Sequence, residues 1–338
     1  MTPAFVLLLS LHPLISNANA TPIPTHFEAD RVFATPLTRD GKLLKLYTDT
    51  GGGGNLLCSD TAARLHLKLE PMPSNPELEA ELGKNLSHAH LPEFLVGSAI
   101  PANADGNSDL LVSDCAARGQ KFLTSMGEGL LSSRWFAGRV WTWNYPAHSL
   151  VLESSGWKPQ ASATRAAIGF RQASASGPAF SMPRITVRVA GEDLDLLLDT
   201  GATGYPTAAA QNAQGGDIVD GARATSFITT SMLEAWHRAH PDWVVVADGD
   251  DLFAPRIRAR LIRVPQMQIA GWNVGPVWFT ERADGNFHQM MSSMTDKRIE
   301  GALGGNALSH FAMTLDYPGA VAWFRCTSDC EPIPRSAP

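Results

Sequence analysis

The chain has 338 residues, of which 44% are hydrophobic and 18% are charged, and its formal net charge is −6. This length suits two domains of ordinary size. Without a basic surplus, the composition argues against nucleic acid or an anionic membrane surface as a partner. No apolar run beyond the N-terminus is long enough to cross a bilayer as a helix, so the sequence predicts no membrane span.

The first twenty residues are predicted to be an export signal. Ala4 to Leu11 form an apolar block, and Ala18-Asn19-Ala20 fits a cleavage site made of small residues. Lys and Arg are missing before the block, and Pro13 interrupts it, which leaves a buried N-terminal strand as the alternative. The signal predicts an exported protein, either periplasmic or secreted.

The four cysteines agree with export, because disulfides persist in oxidising compartments. Cys326 and Cys330 can close a small local loop, which leaves Cys58 to pair with Cys115. Reduced, buried thiols are the alternative. Neither spacing is that of a metal-binding CxxC pair, and the sequence implies no metal and no cofactor.

Two apolar stretches of the chain each end in Asp-Thr-Gly, at Asp49-Thr50-Gly51 and at Asp199-Thr200-Gly201. A Gly lies eight positions before each Asp, at Gly41 and Gly191, and indicates a hairpin turn that leads into the strand. A carboxylate at the end of a buried strand is costly unless it is hydrogen-bonded. Two such sites therefore suggest that two carboxylates are brought together.

A second internal repeat supports this interpretation. The segment from Glu128 to Pro146 aligns without gaps to the segment from Glu300 to Pro318, at a constant offset of 172. The two Asp-Thr-Gly sequences are offset by 150. If the Asp-Thr-Gly motif and this second repeated segment are taken as the two landmarks of each half, the second half has 22 more residues between its landmarks than the first half. Landmarks repeated in the same order indicate two copies of one domain.

The predicted division of the chain follows from these repeats. It comprises a signal peptide at 1–20, an N-terminal lobe at 21–155, a linker region at 156–180 that is rich in Ser, Ala, Gly and Gln, and a C-terminal lobe at 181–338.

Helix capping signals occur once in each half. Ser59-Asp60 predicts the start of a short helix that runs through Leu65. Thr230-Ser231 predicts the start of a helix from Met232 to His240, which Pro241 would end.

The paired motifs resemble those of the bilobal aspartic proteases of the pepsin type. The short lobes and the sequence from Asp199 to Thr203 are more similar to retropepsin-like domains. The run from Gly301 to Asn306, followed by Asp316-Tyr317-Pro318, resembles bacterial exported proteins of an aspartyl-protease-like family. The resemblance covers about residues 30 to 325. It implies a mainly β fold of two lobes related by a pseudo-two-fold axis, with a cleft between them, in a monomeric protein.

The resemblance also implies an activity. The chain would be an aspartic endopeptidase that acts on a peptide or protein substrate, with Asp49 and Asp199 as its catalytic pair. Two carboxyl groups held close together share one proton, and the ionised group can activate a water molecule.

The neighbouring residues of both motifs would support the pair. Thr50 and Thr200 would form hydrogen bonds across the interface between the lobes. Gly51 and Gly201 would direct backbone N–H groups to the carboxylates.

The sequence departs from the family pattern in the first lobe. Leu130-Leu131-Ser132 has Ser where the second lobe has Gly304. In addition, the residue after Asp-Thr-Gly is usually Ser or Thr in the family, but it is Gly52 in the first lobe and Ala202 in the second. No tyrosine lies in an evident hairpin tip that could serve as a flap. Two other interpretations therefore remain: an inactive peptide-binding relative that keeps the cleft, or an exported structural β-protein.

Overall fold

The computed structural model describes residues 20–116, 121, 125–175, 178–252 and 258–333. The predicted export signal lies outside this part of the chain, apart from Ala20. The described part is mainly β, which confirms the fold class expected from the sequence. None of the helices in these ranges combines the length and hydrophobicity that a membrane span requires.

The first repeat contains eleven strands within the described residues. They are β1 (Thr21–Ile23), β2 (Thr25–Glu28), β3 (Arg31–Ala34), β4 (Leu46–Asp49), β5 (Leu56–Cys58), β6 (Glu70–Pro71), β7 (Ser87–His90), β8 (Asp109–Ser113), β9 (Gly129–Ser132), β10 (Val140–Asn144) and β11 (Ser149–Leu152). Its helices include α1 (Ser59–Arg64), α2 (Pro76–Leu82) and α3 (Ser133–Phe136).

The second repeat continues the same pattern. Its strands are β12 (Thr164–Gly169), β13 (Arg184–Val189), β14 (Glu192–Leu198), β15 (Thr203–Gly204), β16 (Arg223–Ala224), β17 (Ser226–Thr229), β18 (Val245–Asp250), β19 (Ala259–Val264), β20 (Met267–Ile269), β21 (Trp272–Val274), β22 (Val277–Arg282), β23 (Gly301–Leu303), β24 (Phe311–Asp316), β25 (Val321–Cys326) and β26 (Cys330–Pro332). Its helices include α4 (Ala208–Gln214), α5 (Thr230–Ala239), a π-helix (Asn286–Met290), a 3₁₀-helix (Met291–Met294) and α6 (Gly305–Leu308).

The two repeats have the same sheet topology. Part of the first sheet has the order β3-β4-β9-β5-β8-β7-β6, and its counterpart in the second repeat has the order β13-β14-β23-β17-β22-β19-β18. In both repeats, the strand that leads into Asp-Thr-Gly is parallel to the strand at the start of the second landmark. These parallel pairs are β4 with β9 and β14 with β23. The order and the strand directions therefore both support a duplicated domain.

A central sheet of six strands, in the order β1-β11-β10-β24-β25-β12, joins the two repeats. At its middle, β10 and β24 are antiparallel, and Thr142 lies opposite Thr314. These two residues occupy the same position in the two repeats, since they are 172 residues apart. A pseudo-two-fold axis consequently passes between them.

The strand β12 lies within the segment 156–180 that the sequence analysis interpreted as a linker. It pairs with β25 in the central sheet, as β1 pairs with β11. Segment 156–180 thus contains a strand that is the second repeat's counterpart of β1.

The predicted helices are present with slightly different starts. The N-cap of α1 is Cys58, and the N-cap of α5 is Thr229, so each helix begins one residue or more before its predicted start. In both cases the preceding strand runs directly into the helix, and the extended N-cap residue forms no side-chain capping bond. The strand end, which a capping pattern does not reveal, therefore fixes where these helices begin.

Both predicted disulfides are confirmed: Cys58 is bonded to Cys115, and Cys326 to Cys330. All four cysteines of the chain are therefore paired. The first bond ties the end of β5 to the segment that follows β8, and the second closes the loop between β25 and β26.

Candidate active site

The two Asp-Thr-Gly loops meet on the pseudo-two-fold axis. Asp49 is the last residue of β4, and Asp199 directly follows β14. The side chains of Asp49 and Asp199 form a hydrogen bond with each other. The structure therefore brings together the two carboxyl groups that the sequence analysis singled out.

The glycines of the motifs make this approach possible. A side chain at Gly51 would overlap the carboxyl group of Asp199, and one at Gly201 would overlap that of Asp49. Each glycine also donates its backbone N–H to the carboxylate of its own loop, at 2.8 Å in both cases. The two glycines thus give each carboxyl group one fixed donor and leave room for the other carboxyl group.

The threonines of the motifs link the two loops. The Thr50 hydroxyl donates to the Leu198 carbonyl at 2.6 Å, and the Thr200 hydroxyl donates to the Thr48 carbonyl at 3.1 Å. Each hydroxyl also accepts the backbone N–H of the other threonine, at 3.0 Å for the Thr50 hydroxyl and 3.2 Å for the Thr200 hydroxyl. Both threonines are fully buried, so this reciprocal set of bonds holds the two loops in register.

The electrostatics of the pair are asymmetric. Burial raises the pKa of Asp49, but backbone N–H groups and the hydrogen bond from Asp199 oppose that rise. Burial and the adjacent Asp49 carboxylate raise the pKa of Asp199 well above its usual range. Because burial raises the pKa of both residues and the two carboxyl groups are hydrogen-bonded, the pair holds one proton between them.

The first lobe replaces a glycine by Ser132 without losing the hydrogen bond at that position. In the second lobe, the Gly304 N–H donates to the Ser226 hydroxyl at 3.0 Å. In the first lobe, the Ser132 N–H donates to the Asn55 side-chain carbonyl at 2.9 Å, and the Ser132 hydroxyl donates to the same oxygen at 3.1 Å. Asn55 and Ser226 are counterparts, so the first lobe supports its loop with different side chains.

Sequence reasoning missed two residues beside the pair. Tyr47 lies two positions before Asp49 and is fully buried. Its hydroxyl is 2.8 Å from that of Thr203, which also donates to the Gly201 carbonyl at 3.1 Å. A signal for Tyr47 was present, since alternate residues of a strand share one face.

Arg31 is a third residue that the sequence analysis did not identify. Its side chain is only 1% exposed, and it donates to the backbone carbonyls of Ser125 and Val219, both at 3.1 Å. Ser125 belongs to the first lobe and Val219 to the second, so a buried guanidinium joins the lobes on one side of the carboxyl pair.

Within the described ranges, no three His, Cys, Asp or Glu side chains lie close enough together to form a metal-ligand set.

Several solved structures have a similar overall arrangement. An aspartic proteinase from Irpex lacteus is 11% identical, with 92% of this chain and 98% of that chain covered at a TM-score of 0.46. Basic 7S globulin from soybean is 11% identical, with 92% and 95% covered at 0.45. The protein described as edgp is 10% identical, with 91% and 95% covered at 0.46. No protein-family model and no curated protein sequence matches the chain.

Proposed function

We propose that the chain is an aspartic-type peptidase that hydrolyses peptide bonds with a water molecule activated between Asp49 and Asp199. The observation that carries this proposal is the pair of carboxyl groups, hydrogen-bonded to each other on the axis between two copies of one domain. Pepsin-like and retropepsin-like enzymes, which the motifs resemble, work with such a pair.

The proposed mechanism assigns a different role to each carboxyl group. The Asp49 carboxylate takes a proton from the water, whose oxygen bonds to the carbonyl carbon of the substrate. Asp199 donates its proton to the carbonyl oxygen, so a neutral tetrahedral intermediate forms. The proton held by Asp49 then passes to the departing amine as the C–N bond breaks, and Asp199 regains its proton from the intermediate. No covalent bond to the protein forms at any step.

The setting of the pair suits this chemistry. The threonine bonds and the glycine N–H groups fix both carboxyl groups before a substrate arrives, so little reorganisation is needed in the transition state. The first lobe keeps its supporting bond through Asn55, which favours an active enzyme over a degenerate relative.

The proposal extends to location and organisation. The paired cysteines support an exported protein, periplasmic or secreted, because disulfides are rare in reducing compartments. We place the division between the lobes in the segment 153–163, between β11 and β12, and we propose that the protein acts as a monomer with an export signal at 1–20 and a bacterial exported aspartyl-protease-like ancestry.

A peptide-library digest with the wild type and Asp199→Asn side by side tests the activity. We expect the wild type to cleave a subset of the peptides and the variant to cleave none of them, while both give the same circular dichroism spectrum. Equal cleavage by the two proteins would place the chemistry elsewhere. No cleavage by either protein would favour the inactive peptide-binding interpretation.

A further inference from the structure

The pseudo-two-fold axis relates the two sides of the carboxyl pair to each other, and we call these sides its flanks. Each residue on one flank has a counterpart on the other, so the two flanks can be compared residue by residue. Phe33 lies opposite Tyr47 in the first lobe, as Arg184 lies opposite Leu197 in the second. Counted back from β3 and β13, Phe180 has the position of Ala29. Measured between equivalent paired residues, the connection between β12 and β13 that contains Phe180 is eight residues longer than the one between β2 and β3. Because β3 is antiparallel to β4, the turn at Ala29 extends past the level of Asp49, beside the carboxyl groups.

On one flank, which we call the closed flank, the lobes touch directly. The Ala224 N–H donates to the Ala29 carbonyl at 2.9 Å. The Asp30 carbonyl lies so close to Gly305 that a side chain at Gly305 would overlap it. Arg31 adds its bonds to Val219 and Ser125 at the same place.

Further contacts between the lobes fill the closed flank. The Tyr47 hydroxyl meets the Thr203 hydroxyl at 2.8 Å, level with the carboxyl pair. The hydroxyl groups of Ser125 and Tyr205 are hydrogen-bonded, and burial raises the pKa of Tyr205 to about 12, which keeps its phenol protonated. Protein atoms of both lobes thus occupy this side of the pair.

On the other flank, which we call the open flank, no backbone hydrogen bond joins the counterpart residues Gly53 and Phe180, both of which the structure describes. Gly53 is the counterpart of Ala224 and is exposed, and Ser133 stands where the closed flank has Gly305. Gly53, Ser133 and Phe180 all line one cavity of about 460 Å³. Where the closed flank has a hydrogen bond, the open flank has a space of the size that holds small ligands or one or two side chains.

The sequence shows why the flanks differ. Asp199 and Phe227 are 21 residues further apart than Asp49 and Leu56, their counterparts in the first lobe. These additional residues include α4 and the segment around Val219 that receives Arg31. Almost all of the 22 additional residues between the two landmarks of the second repeat are therefore located on the closed flank.

We propose that the cleft accepts a peptide chain on the open flank alone, so that the scissile bond lies close to one end of a linear substrate. An extended chain advances about 3.3 Å per residue, and the closed flank leaves no passage for several residues in that direction. The inference rests on the proposed function and assigns it bonds near a free terminus, in place of the internal bonds that the sequence led us to expect for an endopeptidase.

Binding of non-cleavable peptides tests this inference without relying on catalysis. The probes carry a secondary alcohol in place of the scissile carbonyl and are lengthened by one to four residues on either the N-terminal or the C-terminal side. We expect lengthening on one side to tighten binding about tenfold or more and lengthening on the other side to give no gain. Equal gains on both sides, or no binding of any probe, would overturn the inference.

A matched pair of variants locates the open flank. A Cβ atom added to Gly53 would have only the end of the Met182 side chain within 4 Å, and one added to Gly54 would have no atom that close. Gly53→Phe should fill the cavity and abolish the gain from lengthening, whereas Gly54→Phe should preserve it. An unchanged gain in Gly53→Phe would show that the peptide takes another route.

Digestion of linear and head-to-tail cyclised forms of one peptide separates this inference from the proposed function. Cleavage of the linear form near one end, with the cyclic form intact, supports both. Cleavage of the cyclic form that Asp199→Asn abolishes would preserve the peptidase and overturn the one-sided cleft. One-sided probe binding without any cleavage would preserve the one-sided cleft and contradict the peptidase.

Discussion

Thr142 and Thr314 lie opposite each other at the centre of the sheet that joins the lobes, and their hydroxyl oxygens are 2.8 Å apart. Each is the counterpart of the other in the duplicated domain. The same axis leads from this pair to the loops of Asp49 and Asp199. The central sheet therefore fixes how the two lobes are arranged, and that arrangement determines how the carboxyl groups meet.

The threonine bonds between the Asp-Thr-Gly loops should matter for both stability and activity. Thr50→Val keeps the shape of the side chain but removes its hydroxyl, which leaves the Leu198 carbonyl and the Thr200 N–H without their partner. We expect a loss of about 1–3 kcal/mol in the free energy of unfolding, measured with urea, together with a marked fall in kcat/KM.

Thr142→Val is the control for this prediction. It removes a hydroxyl pair on the same axis but away from the carboxyl groups, so we expect a loss of stability with kcat/KM preserved. An equal fall in kcat/KM in both variants would mean that the loops have no special role.

The raised pKa of Asp199 predicts how stability depends on pH. Below the pKa of the unfolded chain, about 3.9, both states hold the proton. As the pH rises, the unfolded chain ionises freely but folded Asp199 resists, so the wild type loses stability up to the pKa of the folded state. Asp199→Asn removes this loss.

Urea unfolding at pH 4, 6 and 8 measures this effect. We expect Asp199→Asn to gain stability relative to the wild type as the pH rises. The surface residue Asp105 provides a control, because the backbone N–H of Asn107 and the side chain of Arg134 lower its pKa. Replacing Asp105 by Asn should therefore change the stability relative to the wild type in the opposite direction as the pH rises. A variant Asp199→Asn that loses stability relative to the wild type between pH 4 and pH 8 would contradict the raised pKa of Asp199.

The missing hydroxyl groups after the motifs should set the pH range of the activity. Gly52 and Ala202 have no side-chain donor for the carboxylates, so we expect the first ionisation of the pair to occur at a higher pH than in pepsin. Because the reaction requires the singly protonated pair, kcat/KM should follow a bell with its optimum at about pH 5 to 6.5.

Ala202→Ser tests the cause of that shift. A hydroxyl at this position would donate to the charged form of the pair and favour it, so the acidic limb of the pH profile should move to lower pH. An optimum near pH 2 in the wild type, or an unmoved limb in Ala202→Ser, would contradict this explanation.

The two disulfides should contribute unequally to stability. Cys58 and Cys115 are 57 residues apart in the sequence, and Cys326 and Cys330 are four apart. Loop-closure entropy predicts a loss of about 4 kcal/mol when the first pair is replaced by Ser and about 2 kcal/mol for the second. Urea unfolding of the two double variants measures both, and a larger loss for the Cys326 and Cys330 replacement would refute the loop-length argument.

The sequence predicted those features that repeat along the chain. Two Asp-Thr-Gly motifs and a second landmark at a constant offset were enough to predict that Asp49 meets Asp199, and the resemblance that these motifs carry implied the β fold. Local patterns also predicted the disulfide between Cys326 and Cys330, and elimination then gave the other. Such features depend on neighbours in sequence or on the duplication, and both are visible without coordinates.

Features that depend on contacts between the lobes could not be predicted in this way. Arg31 binds carbonyls that lie 94 and 188 residues further along the chain, and no periodicity indicates such partners. The replacement of glycine at Ser132 suggested a degenerate first lobe, whereas the side chain of Asn55, directly before β5, restores the supporting bond. The closure of one flank likewise depends on where 21 additional residues fold.

The most direct test of the account compares kcat/KM for the wild type, Asp49→Asn, Asp199→Asn and the double variant on one cleaved peptide. Two groups that share a proton act as a unit, so losing either should cost about as much as losing both. We expect each single variant to lose at least about 10²–10⁴-fold and the double variant to lose little more. Activity near that of the wild type in either single variant, or losses that multiply in the double variant, would contradict a shared proton between Asp49 and Asp199.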